Sequence, residues 1–86
     1  MRLCGNRMEV NIDGSARGKL QVEILDETGR ALPGFSRETS DPLYGNHVRK
    51  TVTWQGSSDL APLQGSIVRL RFLGHSLKLY AFQFVD

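Results

Sequence analysis

The sequence has little of what builds disulfide-bonded, zinc-bound or membrane-spanning proteins. Cys4 is its one cysteine, so an internal disulfide and a zinc site made of several cysteines are both excluded. No apolar run approaches the roughly 20 residues of a membrane helix, and residues 1–13 lack the charged and apolar regions of a signal peptide. We therefore expect no membrane partner, and the export signal of any secreted parent protein lies outside this chain.

The sequence also lacks a large excess of basic or acidic residues. The 11 basic and 9 acidic residues leave a net charge of +2, and Arg49-Lys50 is the only adjacent basic pair. A nucleic-acid-binding surface usually needs a basic stripe and a recognisable reading motif. Neither is present, so nucleic acid is not expected as a partner.

What the sequence does contain is the alternation of apolar and polar residues that is typical of half-buried β-strands. The alternation occurs in residues 8–12, 19–25, 48–54, 67–73 and 79–84. The side chains predicted to face the core are Met8, Val10, Ile12, Leu20, Val22, Ile24, Val48, Val52, Trp54, Val68, Leu70, Phe72, Tyr80, Phe82 and Phe84. Apolar residues predicted on the opposite face of the last two strands are Ile67, Leu73, Leu77 and Leu79.

Turn-forming residues separate these runs. The segment DGSARG at 13–18 predicts a hairpin loop between the first two strands, and LGHS predicts a tight hairpin around Gly74 between the last two. Gly29 is placed for a positive φ angle, and Pro33-Gly34 predicts a turn.

Five or more strands, each with one apolar face, cannot bury those faces in a single flat sheet. Packing one sheet on another is the usual solution. Nowhere do apolar residues recur at helical spacing over ten or more positions. The sequence therefore predicts an all-β fold, a small antiparallel β-sandwich of which the jelly roll is one form, with residues 1–86 as a single module.

Four ordered segments resemble a known kind of module. They are GKLQVEILDETGRALPGFS, SDPLYGN, VTWQGSSDL and GSIVRLRFLGHSLKLYAFQF. The matching residues are Val22, Ile24, Leu25, Asp26, Gly29, Pro33, Gly34, Phe35, Ser36, Asp41, Trp54, Gly56, Arg69, Leu70, Arg71, Phe72, Tyr80, Phe82 and Phe84. The pattern resembles the C-terminal β-sandwich module of large secreted bacterial proteins, some of them similar to family 32 glycoside hydrolases. The resemblance implies an extracellular, carbohydrate-associated accessory domain, with the catalytic residues elsewhere in the parent protein.

The sequence also contains no recognisable catalytic motif. Glycoside hydrolysis needs two carboxylates flanking the scissile bond, and no pair of acids is marked by its spacing. No nucleophile elbow, zinc-protease motif, phosphate-binding loop or dinucleotide fingerprint is present. We therefore expect that the chain is not an enzyme.

The segment DPLYGNHVR has the composition of a binding loop. Tyr44 offers a ring for stacking on a sugar, and Asp41, Asn46, His47 and Arg49 offer hydrogen-bonding groups nearby. The alternative is a structural loop. In that case Asp41 bonds the backbone of its own turn, and Gly45-Asn46 take positive φ angles.

Trp54 and the turn acids allow two interpretations each. Trp54 is in phase with Val48 and Val52, which predicts a core position with its indole N–H bonded to a loop carbonyl; the alternative is an exposed stacking ring. No cofactor is expected. A structural calcium is the alternative, for which the candidate ligands are Asp26, Glu27, Asp41 and Asp59.

The leading hypothesis is a non-catalytic carbohydrate-binding module whose partner is a polysaccharide or oligosaccharide. The predicted ligand-binding residues are Asp41, Tyr44, Asn46, His47, Arg49, Arg69 and Arg71. The alternative is a structural or interaction module that packs on a catalytic domain of its parent enzyme or self-associates. It would use the apolar outward residues Ile67, Leu73, Leu77 and Leu79.

Overall fold

A computed structural model of the chain describes residues 1–14 and 17–86, and its regular secondary structure is almost all strand. The strands are β1 (Arg7–Leu25), β2 (Leu43–Tyr44), β3 (His47–Thr51) and β4 (Arg69–Val85), with one 3-10 turn at Ala61–Leu63. All strand pairings are antiparallel and belong to one sheet. The prediction of a small antiparallel all-β fold is confirmed. The further expectation of two separate packed sheets is not confirmed, because the described strands form one curled sheet.

β1 is the central strand of this sheet. Glu9 pairs with Thr51 of β3 on one side and with Gln83 of β4 on the other. Farther along β1, Lys19 pairs with Tyr44 of β2 on one side and with β4 on the other. β2 and β3 therefore lie side by side along one edge of β1, and β4 runs along its whole opposite edge.

The long pair of β1 and β4 is strongly curled. A straight strand of this length would measure about 63 Å at about 3.3 Å per residue, yet the longest dimension of the molecule is 34 Å. Phe72 and Phe82 of β4 show the same curl, because a straight strand would hold them about 33 Å apart whereas their ring centroids are 5.2 Å apart. The two halves of the sheet therefore face each other, and the core lies between them.

The predicted hairpins at residues 13–18 and at Gly74 are wrong. Both halves of β1 pair with the same partner strand, and β4 is continuous through Gly74. Ladder pairing is interrupted between Gly14, opposite Leu77, and Lys19, opposite His75. This irregularity is where the sheet bends. Ser15 and Ala16, at the centre of the predicted loop, lie outside the described residues.

Two β-bulges meet at Asn11 of β1. On the β4 side, Asn11 pairs with Ala81 and Ile12 with Leu79, so Tyr80 is an extra residue. On the β3 side, Val10 pairs with Lys50 and Ile12 with His47, so residues 48–49 lie opposite Asn11 alone. An extra residue in one strand reverses the alternation beyond it.

Several side-chain orientations predicted from simple alternation are wrong. Leu77 and Leu79 pack against the core rather than facing outward. Tyr80 is 59% exposed, Val48 is 75% exposed, and Phe82 is 39% exposed at the sheet edge, so none of them is the core residue that simple alternation predicts. The physical reason is the shift in phase at each bulge, together with the position of β4 at the edge of the sheet.

Other predicted features are confirmed. Trp54 is 3% exposed, and its ring meets that of Phe35 edge-on at 5.3 Å. Its Nε1 donates to the carbonyl of Val22 at 2.9 Å, which is a strand carbonyl rather than the expected loop carbonyl. Gly29 and Gly34 have φ angles of 92° and 85°. The fully or nearly buried apolar residues are Leu3, Met8, Val10, Ile12, Leu20, Val22, Ile24, Leu25, Leu43, Val52, Trp54, Leu60 and Val68.

Candidate functional site

A shallow groove crosses the outward face of the sheet where the two bulges meet. Its volume is about 180 Å³, and Glu9, Asn11, Val48, Ala81 and Gln83 are among its lining residues. Along β1, Glu9 and Asn11 alternate with core residues that are almost fully buried, so their side chains point away from the core. We call this feature the outer groove.

Glu9 is the electrostatic centre of the outer groove. Its side chain lies in the sheet surface and the residue is only 7% exposed. Oε1 accepts from Arg49 Nε at 3.2 Å and from Gln83 Nε2 at 3.1 Å, and Oε2 lies 3.7 Å from Arg7 Nε. Desolvation alone would raise the pKa of Glu9, but the bonds from Gln83 and Arg49 and the nearby positive charges outweigh it and lower the pKa. Glu9 is therefore an ionised anchor that holds Arg49 and Gln83 at the groove.

The middle of the groove combines a polar side chain with apolar ones. The amide of Asn11 makes no hydrogen bond with any other residue that the structure describes. Val48 lines the groove and is 75% exposed, and Tyr80, next in sequence to the lining residue Ala81, is 59% exposed. Tyr80 Oη lies 3.5 Å from Asp13 Oδ2, which is at the limit of a hydrogen bond. The groove thus offers an aliphatic wall and an amide without a partner in the described chain, and the exposed ring of Tyr80 comes next to it along β4.

A second, wider hollow of about 400 Å³ lies at the bend of the sheet. It is lined by Asp13, Gly14, Ser76, Leu77 and Lys78. Asp13 also contacts Tyr80, which is next in sequence to the groove residue Ala81.

The predicted binding loop lies beside this hollow and is held by its own polar groups. Asn46 Oδ1 accepts from the backbone N–H of Gly14 at 2.8 Å, and His47 Nε2 donates to the carbonyl of Tyr44 at 2.8 Å. Of Gly45 and Asn46, Gly45 has a positive φ angle of 81° and Asn46 does not, so the positive φ angle expected at Asn46 is wrong. Tyr44 is 54% exposed, so its side chain is accessible to solvent.

Asp41 has a structural role in the described chain. Its Oδ2 accepts from Thr53 Oγ1 at 2.6 Å and from the N–H of Gly56 at 2.7 Å. These bonds, the one from Thr53 above all, lower the pKa of Asp41 against the opposing effect of desolvation. Asp41 thus joins its loop to the turn after Trp54, and not to its own turn.

Arg69 and Arg71 lie on the other half of the sheet. Arg69 is opposite Leu25 and Arg71 is opposite Glu23. Arg71 Nη1 is 3.4 Å from Glu23 Oε1, while Glu23 Oε2 accepts from the backbone N–H of Arg37 at 2.9 Å. The bend of β1 separates this acid–arginine pair from Glu9 and Arg49, so the seven predicted residues do not converge on one site.

Sequence reasoning missed the groove residues Glu9, Asn11 and Gln83 and their neighbour Tyr80. Alternation already predicts that Glu9, Asn11 and Gln83 point outward. The signal that would have joined them to Tyr80 is the bulge, which depends on pairing between distant segments and leaves no mark in the local pattern.

Three of the four candidate calcium ligands, Asp26, Asp41 and Asp59, accept hydrogen bonds from backbone N–H groups. Asp26 Oδ1 accepts from the N–H groups of Thr28 and Arg30, and Asp59 Oδ1 accepts from the N–H of Ala61 at 2.9 Å. Across residues 1–14 and 17–86, no three His, Cys, Asp or Glu side chains group as metal ligands would. In the same described part of the chain, no helix has the length and apolar character to cross a membrane.

Comparison of the chain with protein-family models, with curated proteins and with solved structures found no match. The resemblance to the accessory module of glycoside-hydrolase-like proteins therefore stays a prediction. The function proposed below is therefore inferred from the outer groove.

Proposed function

We propose that this chain is a non-catalytic carbohydrate-binding module and that the outer groove is its contact surface. The observation that carries the proposal is the Asn11 amide, which has no partner in the described chain and lies in a groove lined by exposed Val48, with exposed Tyr80 next in sequence to the lining residue Ala81. Small-molecule sites typically combine such an apolar surface with a few convergent polar groups. A sugar ring has the matching character, with apolar C–H faces and hydroxyl groups around its edge.

The side chains around the groove have hydrogen-bond donors and acceptors that are not used within the described chain. A guanidinium has five N–H donors, and one of those of Arg49 is used on Glu9. Gln83 donates to Glu9 through Nε2, which leaves its carbonyl oxygen as an acceptor. Because Glu9 orients both groups before a ligand arrives, less conformational entropy is lost on binding.

The arrangement of acids supports binding without catalysis. Among the described residues of this half of β1, the outward carboxylates are Glu9 and Asp13, which are four residue positions or about 13 Å apart along the strand. Glycosidases hold their carboxyl groups about 5–9.5 Å apart, with one of them protonated. A lowered pKa makes Glu9 a poor proton donor. An accessory role in a secreted parent protein is consistent with this chemistry and is part of the proposal.

Two exposed tyrosines allow a matched test. The purified chain is screened against a panel of immobilised polysaccharides, with and without a chelator, and the binding constant of the best ligand is measured by calorimetry. Asn11→Ala and Tyr80→Ala should each weaken binding about tenfold or more, since a tenfold change corresponds to about 1.4 kcal/mol. Tyr44→Ala, which removes a ring of similar exposure from the loop at 41–47, should leave the constant unchanged.

The outcomes are distinct. Loss of binding with Tyr44→Ala alone would move the site to the predicted loop and refute the outer groove. Absence of wild-type binding across the panel would refute carbohydrate as the ligand. Weaker polysaccharide binding in the presence of the chelator would support the structural-calcium alternative.

The alternative function, an interaction module, needs a different surface from the apolar patch that the sequence predicts. Leu77 and Leu79 pack against the core, so they do not form an outward apolar patch with Ile67 and Leu73. What favours this second function is the edge of β4.

A further inference from the structure

β4 has an open edge along nearly its whole length. It pairs with β1 on one side from Arg69 to Val85. On its other side, no backbone hydrogen bond reaches residues 69–84 from any other segment that the structure describes. Such an edge presents a row of backbone donors and acceptors that another strand can pair with.

The second half of this edge lacks the usual protection. Natural edge strands are blunted by charged side chains, by proline or by short length. Arg69 and Arg71 give the first half such charges, but residues 79–85, LYAFQFV, contain no charged residue, proline or glycine. Tyr80 and Phe82 are also exposed there. Pairing is therefore expected in the second half of β4 and not in the first.

We infer that residues 78–86 pair antiparallel with the same residues of a second copy of this chain, about a two-fold axis at Phe82. This register places Lys78 of each copy opposite Asp86 of the other. Lys78 and Asp86 have no side-chain partner among the described residues, and they flank the uncharged segment. A shift of the axis toward Lys78 leaves that lysine opposite an uncharged residue or opposite itself.

The inference does not rest on carbohydrate binding. An antiparallel pair of identical strands continues the sheet across a two-fold axis perpendicular to it, so the same face of both copies points the same way. Each outer groove would remain open in the pair, because pairing uses the edge of β4 and not its face.

The test is the mass of the full chain by sedimentation equilibrium from about 1 µM to 1 mM, the range of weak to moderate association. Wild type should shift from monomer to dimer. Lys78→Asp should weaken dimerisation about tenfold, because two attractive cross-strand pairs become repulsive. Asp86→Lys should do the same, and the double variant Lys78→Asp/Asp86→Lys should restore the wild-type constant.

Lys50→Asp is the matched control. It makes the same charge change on an exposed residue of β3, away from the open edge, and should leave dimerisation unchanged. A wild-type monomer at every concentration would overturn the inference and leave the edge to a strand of another protein. A dimer that is insensitive to Lys78→Asp, or one that the double variant does not restore, would overturn the register and with it the proposed interface.

Discussion

Trp54→Phe is the substitution whose effect the structure defines most sharply. Among the strands that the structure describes, Val22 of β1 has no partner on the side away from β4, and side chains satisfy its backbone there. Ser40 Oγ accepts from the N–H of Val22 at 2.9 Å, and Trp54 Nε1 donates to its carbonyl at 2.9 Å. Phenylalanine keeps the ring and removes the donor.

The expected magnitude follows from the burial of this bond. Ser40 and Trp54 are each 3% exposed, and Val22 is fully buried. A buried carbonyl left without a donor costs about 1–3 kcal/mol, and the smaller ring adds about 1 kcal/mol for the void beside Phe35. The sum is about 2–4 kcal/mol, a large part of the total of about 4–13 kcal/mol expected for a chain of this length. The melting temperature should fall by at least about 8 °C.

The assay is urea unfolding followed by far-ultraviolet circular dichroism, because the substitution removes the only tryptophan. Ser40→Ala tests the other half of the arrangement with little change in volume and should cost about 1–3 kcal/mol. Ser58→Ala, at a residue whose side chain has no partner in the described chain, should change stability by less than about 0.5 kcal/mol. A loss below about 1 kcal/mol for Trp54→Phe, with an unchanged denaturant slope, would refute the view that this bond replaces a missing strand.

Three further substitutions test the backbone and the charges. Gly5→Ala should lower the free energy of unfolding by more than about 1 kcal/mol, because the φ angle is +128° and a Cβ would lie 2.9 Å from the nitrogen of Val85. Gly65→Ala is the control, with a φ angle of +77° and no atom within 4 Å of the added Cβ, and it should cost less in the same denaturation assay. Ser76→Gly should stabilise by about 0.5–1 kcal/mol, because exposed Ser76 has a φ angle of 54°, and an unchanged melting temperature would argue against that conformation. Asp41→Asn should lower the melting temperature at neutral pH. The pKa of Asp41 in the folded protein lies below its ordinary value of 3.8, so the ionised carboxylate stabilises the fold fully above pH 3.8. The difference in melting temperature from wild type should shrink as the pH falls below 3.8. A difference that grows with acidification would contradict this assignment.

The parts of the fold that depend on neighbouring residues were predictable. Alternation correctly identified the inward residues of β1, because its core face is buried on both sides of the bend. Trp54 was correctly assigned to the core. Gly29 and Gly34 were placed correctly because a turn with a positive φ angle has a local steric requirement.

The candidate site was predictable only in part. Arg49 was singled out, and it lies at the outer groove through its bond to Glu9. Asp41 and Asn46 have polar side chains in a loop, which is typical of a binding site, yet both oxygens accept backbone N–H groups. Sequence composition cannot distinguish a polar group that holds a loop from one that awaits a ligand, because the distinction depends on atoms contributed by distant segments.

By itself, the sequence determined that the chain is an antiparallel all-β fold with one apolar face per strand, since side-chain alternation and turn chemistry act over a few residues. Only the tertiary structure decided that the apparent hairpins are one long curled pair of strands, and that bulges opposite Asn11 turn Tyr80 and Val48 outward. Register is set by hydrogen bonds between residues far apart in the chain. One extra residue in a strand reverses every side chain beyond it, and that reversal created the outer groove.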